Sequence, residues 1–405
     1  MRLRCARALR LAAIMAAGLS VSGWVSSQTP ALPNAATAGF AQALEPWSFV
    51  FPRDHAPHRE FRQEWWYVTG NLDATSGERF GFELTFFRFA LQPSAALSRG
   101  ASGTAATQGT GRSAWRTREI LVAHFAVTDV AHQRFSSAQK LSREALDLAG
   151  AQSSPLHVWI DDWSLATATA DPAAGEERWM LHAAQPGYEL DVTLTPQGAP
   201  VLNGDAGLSR KSDTPTDASY YYSIPRVAVR GRLLRNAETL EVHGVAWLDR
   251  EWGSGGLGAN EAGWDWYGLQ LDDGSALMFY ALRDRDGRRD VHSAGTWVAA
   301  GGVTRALRSA DVDIAVTGEW RNASGERYPA GWRIRAPSLA LDVTVHPVLA
   351  DQELQTTPRY WEGAVDVSGE RDGQRIGGRG YVELVGYASA TQSPDATGAP
   401  GSGVR

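Results

Sequence analysis

Short runs in which apolar and polar residues alternate dominate the chain. The clearest runs cover residues 80–86, 121–128 and 188–194, where every second residue is apolar. A period of two is typical of half-buried β-strands, and helical periodicity is scarce. Turn signals such as Asp273-Gly274 and Asp286-Gly287 separate several runs and indicate antiparallel hairpins. The pattern predicts an all-β protein built from antiparallel barrels or sandwiches.

With 405 residues, the chain is long enough for two such domains. We predict an N-terminal domain over residues 45–236 and a C-terminal domain over 237–388, with the boundary near Asn236 to Thr239. Residues 28–44 are predicted to be a Pro/Ala-rich leader and residues 389–405 a disordered tail. The Ser-, Gly- and Thr-rich stretch from Gln92 to Thr117 is predicted to be a long mobile loop.

The chain begins with an arginine-rich segment, an apolar stretch from Leu11 to about Val25 and then small residues. This order is typical of a secretory signal, here cut near Ser27, and predicts a periplasmic or secreted protein. The alternative is an uncleaved anchor, but the apolar stretch is short for a membrane-spanning helix and contains Gly and Ser. Cys5 is the only cysteine, so the mature chain would have no disulfide and no thiol nucleophile.

Composition limits the chemistry further. The formal net charge is −6 and no basic block follows the first residues, so we expect no nucleic-acid partner. Sixteen tryptophans suit either large β cores or pockets for apolar ligands. The nine histidines are scattered, and the G-x-S-x-G signature of serine hydrolases is absent. We therefore expect chemistry without a cofactor or metal, or simple ligand binding.

The segment from Glu241 to Glu251 places two carboxylates among aromatic residues. On a strand, Trp247, Asp249 and Glu251 share one face, whereas residues 240, 242, 244, 246 and 248 form the apolar face. Two interpretations stay open. The carboxylates are solvated or hydrogen-bonded to the following "GSGG" bend, or they line a cavity, where burial would raise the pKa of a carboxyl group.

Other candidates lie elsewhere in the sequence. Asp265 shares an apolar face with Tyr267 and is either a buried general acid or a structural partner of a nearby arginine. In the first domain, Glu64 shares a face with Trp66, and His124 lies on the polar side of a later strand. In the structural alternative, Asp265 would pair with Arg283, Arg285 or Arg288. In the first domain, Glu83 lies on the polar side of the strand that follows Glu64.

Nine signatures together give the chain a family resemblance. It resembles the AttH/CrtC family of lipocalin-like proteins, which includes carotenoid 1,2-hydratase, over nearly the whole mature chain. The matching segments, in order, are "EWWYVTGNL", "GFELTFFR", "AHFAVTD", "GLSRK", "YYYSIPR", "WLDREWG", "WDWYGLQL", "YWEGAVDVSG" and "GYVELVGY". The resemblance implies two lipocalin-like β-barrel domains packed side by side, with a ligand cavity at or between them.

The resemblance also implies a reaction. The family's hydratases add water to a terminal alkene of a long isoprenoid without a cofactor, and an aspartic acid in an aromatic-x-Asp pattern is the expected proton donor. That pattern corresponds to Trp247-Leu248-Asp249, so Asp249 is preferred over Asp265. Glu251 would orient or deprotonate the water. Aromatic residues would stabilise the cation; those expected to do so are Trp247, Trp252, Tyr221 and Tyr222.

The secretion signal and the extended motif "WLDREWG" are more similar to the exported AttH branch than to carotenoid-synthesis enzymes. That branch implies a hydrophobic small molecule or lipid as ligand, an ABC-type permease as partner, and peripheral contact with the membrane. Two hypotheses follow. The protein is a cofactor-independent hydratase, or it is a periplasmic binding protein for a lipid or other hydrophobic ligand.

Overall fold

The computed structural model describes residues 37–93, 117–168 and 177–388. The predicted signal segment, most of the predicted leader, most of the predicted long loop and the predicted tail lie outside these residues. Helical segments among the described residues are single 3-10 turns at Arg53–His55, Ser309–Asp311 and Pro337–Leu339. None of the helices in the described part of the chain has the length and hydropathy needed to cross a membrane.

The first sheet has 13 strands within the described residues, and every pairing is antiparallel. The order along its main path is β4-β3-β2-β1-β13-β12-β9-β8-β7-β6-β5, and β10 and β11 also pair with β12. The bounds are β1 Gln63–Ala74, β2 Arg79–Ala90, β3 Glu119–Asp129, β4 Arg134–Arg143, β5 Ala149–Ser153, β6 Leu156–Ile160, β7 Trp163–Thr167, β8 Trp179–Gln185, β9 Tyr188–Pro196, β10 Val201–Leu202, β11 Leu208–Arg210, β12 Ala218–Arg235 and β13 Glu238–Gly253.

The second sheet contains ten strands of the described residues, and a separate two-stranded ribbon pairs β19 with β20. The main path is β17-β16-β15-β14-β25-β24-β22-β21-β18, and β23 pairs with β24. The bounds are β14 Glu261–Leu271, β15 Ala276–Asp284, β16 Ala294–Val298, β17 Thr304–Arg308, β18 Asp313–Val316, β19 Glu319–Arg321, β20 Arg327–Pro329, β21 Trp332–Ala336, β22 Leu341–Pro347, β23 Glu353–Leu354, β24 Tyr360–Arg371 and β25 Gln374–Val385.

The predicted all-β architecture is confirmed. The first sheet curls into a nearly closed barrel, because its edge strands β4 and β5 approach one another, and the second sheet forms a half-barrel. Each encloses its own apolar core. Both are lipocalin-like, and they pack side by side. The alternating runs at residues 80–86, 121–128 and 188–194 lie in β2, β3 and β9.

The predicted hairpin at Asp273-Gly274 is also present. It joins β14 to β15, and Gly274 has a φ of 87°, a left-handed conformation that glycine adopts without steric cost. The side chain of Asp273 accepts a hydrogen bond from the backbone amide of Ser275 at 2.9 Å. The local turn chemistry therefore fixes this connection.

The predicted domain boundary needs correction. Asn236 lies in the turn of a hairpin between β12 and β13, and β13 then pairs with β1 along its whole length. Residues 238–253 therefore belong to the first sheet, and the change of sheet falls between Gly253 and Glu261. The sequence around residue 236 looks like a boundary because a tight polar turn between two apolar runs has the same composition as a short linker.

Polar side chains join the two sheets. Asn71 donates to the carbonyl of Gly380 at 3.1 Å, and Gln270 donates to the carbonyl of Ala246 at 3.0 Å. Gly81 is a point of close approach: a Cβ there would lie 2.8 Å from the Cβ of Ala364. The two sheets therefore meet along a layer of side chains with its own composition.

Candidate functional site

A third apolar cluster occupies the space between the two sheets, and we call it the inter-sheet layer. It combines aromatic residues of the first sheet with aromatic and aliphatic residues of the second. Its buried members are Tyr67, Tyr221, Trp247, Trp266, Ala276, Met278, Tyr280, Leu282, Ala364 and Tyr381.

Strand β13 directs its two faces into different environments. Ala246, Leu248 and Trp252 belong to the core of the first barrel, whereas Trp247 belongs to the inter-sheet layer. Because side chains alternate along a strand, Asp249 and Glu251 point to the same side as Trp247. The predicted mixed face is therefore the outer face of the first barrel, covered by the second sheet.

Asp249 is buried in this layer with an exposed fraction of 4%. Its Oδ2 accepts a hydrogen bond from the hydroxyl of Tyr221 at 2.6 Å. Its Oδ1 accepts bonds from the hydroxyl of Ser223 at 2.5 Å and from the indole Nε1 of Trp247 at 2.7 Å. Trp266 on the second sheet donates to the Tyr221 hydroxyl at 3.0 Å. Both sheets thus fix the carboxyl group in one orientation.

The electrostatic environment keeps Asp249 close to neutral. Burial raises the pKa of its carboxyl group to about 7, in spite of the three hydrogen-bond donors, which act in the opposite direction. The charge of Glu251 raises it further. No arginine or lysine within the described residues forms an ion pair with Asp249. A carboxyl group with this pKa is partly protonated near neutral pH and can donate a proton.

Glu251 has a different set of partners on the same face. Its Oε1 lies 3.2 Å from the ammonium Nζ of Lys211 and accepts a hydrogen bond from the hydroxyl of Ser219. Although burial lowers the pKa of Lys211, the neighbouring Glu251 and Tyr280 raise it above its ordinary value. The ammonium lies 4.4 Å from the ring centroid of Tyr280. Lys211 is therefore charged and holds Glu251 beside Asp249.

Two acids on the second sheet face the same layer, and the sequence analysis did not identify them. Glu362 on β24 and Glu383 on β25 are directly paired across the strands. Burial raises the pKa of Glu383 to about 7, and the indole of Trp264 donates to its Oε2 at 3.1 Å. Burial, followed by the charges of Glu83 and Glu383, raises the pKa of Glu362 well above its ordinary value. The available sequence signal is weak: each glutamate shares a strand face with a tyrosine, at 360 and 381.

His124 lies at the border of the layer. Its Nδ1 is 2.8 Å from the hydroxyl of Tyr360 on the second sheet, and its Nε2 is 3.1 Å from the side-chain nitrogen of Gln139. Burial lowers the pKa of the imidazole to about 3, so the ring is neutral at physiological pH. His124 thus faces the second sheet, on the same side of the first sheet as Asp249.

Four predicted site residues face the other way, into the first barrel. Trp66, Tyr222 and Trp252 belong to its apolar core. Glu64 lies beneath them and binds Arg88 and Arg250. Their even-numbered positions on β1, β12 and β13 put them on the face opposite to Asp249. The wall of the first barrel separates these four residues from Asp249, so the structure does not bring them together with it.

Asp265 and Tyr267 lie on β14 and face the interior of the half-barrel that the second sheet forms. Tyr267 lies in its apolar core. Asp265 lies 2.9 Å from Nε of Arg283 and accepts hydrogen bonds from the hydroxyl of Tyr387 at 3.1 Å. Burial raises the pKa of Asp265, and Arg283 opposes that rise. Of the two interpretations of Asp265, the structural partner of an arginine is the one that the geometry supports.

One group of three potential metal ligands occurs in the described ranges. His182, Glu189 and Asp191 bring one ligand atom each within 4.8 Å of the others, and all three are partly exposed. His182 and Asp191 already form a direct contact of 2.7 Å. Exposed acidic side chains often come together in this way, so the group does not indicate a metal site.

Comparisons with known proteins agree with this architecture. A profile of the AttH-like family matches residues 42–387. The dehydratase asqC of Emericella nidulans is 25% identical over 218 residues, which make up 51% of this chain and 60% of that protein, less than two thirds of its length. A crystal structure described as an AttH from Nitrosomonas europaea superposes with a TM-score of 0.73 at 35% identity, over 86% of this chain and 100% of the other. Kievitone hydratase from Nectria haematococca shares the fold, with a TM-score of 0.61 at 15% identity over 86% of this chain and 98% of the other.

Proposed function

The chain belongs to the AttH-like family, and we propose that it is a cofactor-independent hydratase. The reaction would add water to a carbon–carbon double bond of a hydrophobic, isoprenoid-like molecule bound between the two sheets. Relatives support this reaction class, since one is a dehydratase and one protein of the same fold is a hydratase. Hydration and dehydration are the two directions of one reaction, so a single site can catalyse both.

One observation carries the proposal: the Asp249 carboxyl group is buried among aromatic rings, and no cationic side chain in the described part of the chain pairs with it. Protonation of an alkene carbon requires an acid that keeps its proton until the substrate is in place. Water is a poor competitor for that proton when apolar side chains surround the acid. Burial supplies both conditions at Asp249, and the three hydrogen bonds to Tyr221, Ser223 and Trp247 fix the direction of transfer.

In the proposed reaction, Asp249 gives its proton to one alkene carbon and the positive charge develops on the other. The indole faces of Trp247 and Trp266 would stabilise that cation, each by on the order of 1 kcal/mol or more when desolvated. Water then forms the new carbon–oxygen bond, and the proton that it releases passes to the Glu251 carboxylate. Transfer of that proton to Asp249 restores the acid, so the net change is the addition of one water.

Oxygen labelling tests the proposal directly. The native protein is incubated with farnesol or with lycopene in detergent micelles in ¹⁸O-water, and the products are analysed by mass spectrometry. We expect one labelled oxygen per product molecule and a rate that falls as the pH rises above about 7, because Asp249 then loses its proton. Asp249→Asn should lower the rate by about 10²–10⁴-fold, the usual contribution of a general acid.

Asp265→Asn is the matched control, because it also replaces a buried aspartic acid but lies in the second barrel beside Arg283. It should keep the native rate. Equal rates in Asp249→Asn and the native protein would refute the acid role. If neither compound takes up labelled oxygen and lipid co-purifies with the native protein, the alternative function is favoured: a lipid-binding protein that serves an ABC-type permease.

A further inference from the structure

A second group of polar side chains faces the inter-sheet layer, and its polar atoms have no hydrogen-bond partner in residues 37–93, 117–168 and 177–388. The exposed fractions of Glu83 and Glu362 are 0% and 1%, and neither oxygen of either carboxyl group has a hydrogen-bond partner among the described residues. The hydroxyl of Thr85 lies beside Glu83, and those of Tyr67 and Tyr360 lie beside Glu362, near enough to lower the pKa of the neighbouring carboxyl group but outside the geometry of a direct hydrogen bond. Such groups are rare in folded proteins because each costs about 1–3 kcal/mol.

Other unpartnered groups accompany this pair of acids. The hydroxyls of Tyr67, Thr69 and Thr85 are buried and also lack hydrogen-bond partners within the described residues. Thr69 is the direct cross-strand neighbour of Glu83, and Tyr67 is that of Thr85. These three hydroxyls present further donors and acceptors to the same layer. The group therefore has several polar atoms available to a bound molecule.

The strand register places this group at a defined distance from Asp249. Tyr67 on β1 pairs with Asp249 on β13 and, on its other side, with Thr85 on β2. Strands lie about 4.8 Å apart and residues rise about 3.3 Å along a strand, so Thr85 is roughly 10 Å from Asp249, and Glu83, two residues farther along β2, is roughly 12 Å away. A ligand that reaches Asp249 with one end can reach Glu83 with a part roughly 12 Å away.

The charge state of the pair indicates what it binds. Burial raises the pKa of both carboxyl groups well above their ordinary value, and the charge of Glu83 adds to this effect on Glu362. Burial therefore favours the protonated, uncharged form of both carboxyl groups. Uncharged carboxyl groups and hydroxyls donate and accept hydrogen bonds but attract a cation only weakly. The ligand group that suits these side chains is a neutral group that carries an oxygen atom.

We propose that Glu83 and Glu362, with the hydroxyls of Tyr67, Thr69 and Thr85, bind a hydroxyl or carbonyl group of the ligand whose double bond lies at Asp249. The proposal rests on the proposed function and adds a property of the substrate. It predicts an apolar chain with a neutral oxygen roughly 12 Å from the reacting carbon.

Binding measurements with three matched probes test the proposal: farnesol, the hydrocarbon farnesene and the cation farnesylamine. Affinity is read from quenching of tryptophan fluorescence. The native protein should bind farnesol at least about tenfold more tightly than farnesene, as expected for one or more buried hydrogen bonds. Glu83→Leu should weaken farnesol binding by roughly tenfold and leave farnesene binding unchanged.

Two variants separate recognition from structure. Glu83→Gln keeps a neutral donor and acceptor, so it should retain the preference for farnesol. Thr69→Val keeps the shape but loses the hydroxyl, so it should lower the preference by less than Glu83→Leu does. Equal affinity for farnesol and farnesene in the native protein, including no binding of either, would overturn the proposal. Tighter binding of farnesylamine would also overturn it.

The outcome is distinguishable from that of the proposed function. Asp249→Asn should keep the preference for farnesol over farnesene, because its change lies about two strands away from Glu83. Failure of hydration with an intact preference would refute the acid role of Asp249 alone. Labelled product in the native protein with a preference that Glu83→Leu does not alter would refute only the inference about Glu83.

Discussion

Asp249 and Arg250 are neighbours on β13, but their side chains point to opposite faces of the strand. The two faces differ in how a buried carboxyl group is stabilised. Arg250 points into the first barrel, where it lies 2.9 Å from Glu64 and its guanidinium group lies 3.9 Å from the ring centroid of Trp66. Burial alone would raise the pKa of Glu64. The neighbouring Arg88, His58 and Arg250 outweigh burial and hold this pKa well below its ordinary value. On the other face, burial raises the pKa of Asp249 to about 7.

Both acids are almost completely buried, with exposed fractions of 0% for Glu64 and 4% for Asp249. Burial alone therefore does not decide whether a carboxyl group in this protein is charged. The difference comes from the neighbours, because two arginines contact Glu64 whereas the hydrogen bonds that Asp249 accepts from described residues come from two hydroxyls and an indole. Inside the first barrel, the charged carboxylate of Glu64 stabilises the structure. In the inter-sheet layer, the carboxyl group of Asp249 keeps a proton that it can donate.

The largest expected effect comes from breaking the charged face. Glu64→Met removes the carboxylate that both Arg88 and Arg250 contact. We expect the free energy of unfolding to fall by about 5 kcal/mol, the upper end for a broken buried ion pair, because two buried cations lose a partner. Unfolding in urea, followed by tryptophan fluorescence, measures the change.

Asp249→Asn is the matched comparison for Glu64→Met, since it neutralises a buried acid on the same pair of strands. It should cost much less, because no cation loses a partner. A loss for Glu64→Met below about 1 kcal/mol, the level of a surface pair, would show that the barrel interior does not depend on its charges.

The second expected effect is a pH dependence of the free energy of unfolding, caused by the raised pKa of Asp249. A rise of its pKa from 3.8 to about 7 means that the folded state binds the proton more tightly than the unfolded state does. This contribution to stability is complete below about pH 4 and is lost as the pH rises through 7. The free energy of unfolding of the native protein, relative to Asp249→Asn, should fall by roughly 4 kcal/mol between pH 4 and pH 8.

Other buried acids also destabilise the protein as the pH rises, but Glu83, Glu362 and Glu383 are present in both proteins. Their contributions largely cancel in the difference between the native protein and Asp249→Asn. Urea titrations of the two proteins at a series of pH values give this difference. If it does not change with pH, the Asp249 carboxyl group has an ordinary pKa and the contrast between the faces of β13 is lost.

Much of this arrangement can be predicted from the sequence, because alternation of side chains is a local property. The period of two assigns Trp247, Asp249 and Glu251 to one face of β13, and the structure keeps them together. The Asp-Gly turn at 273–274 likewise fixes a hairpin through its own backbone. Local patterns therefore give the strands and the composition of each face.

What covers a face is not a local property. Glu64 and Trp66 share a mixed face just as Trp247 and Asp249 do, but the first pair lies inside a barrel and the second lies between two sheets. Glu362 and Glu383 meet the Asp249 face only because the second sheet packs on the first. That contact joins residues more than 100 positions apart, so no pattern along the chain records it.

The smallest expected effect is at the surface of the second sheet. Arg333 contacts Asp342 with two hydrogen bonds of 2.8 and 2.7 Å, so it pairs an arginine with a carboxylate, as Arg88 and Arg250 do with Glu64 inside the first barrel. Both side chains are largely exposed, with fractions of 51% and 41%. Water and salt screen such a pair, so Arg333→Met should leave the urea midpoint almost unchanged, and so should Asp342→Asn. A shift as large as that of Glu64→Met would mean that pairing itself, and not the burial of its partners, sets the contribution of an ion pair in this protein.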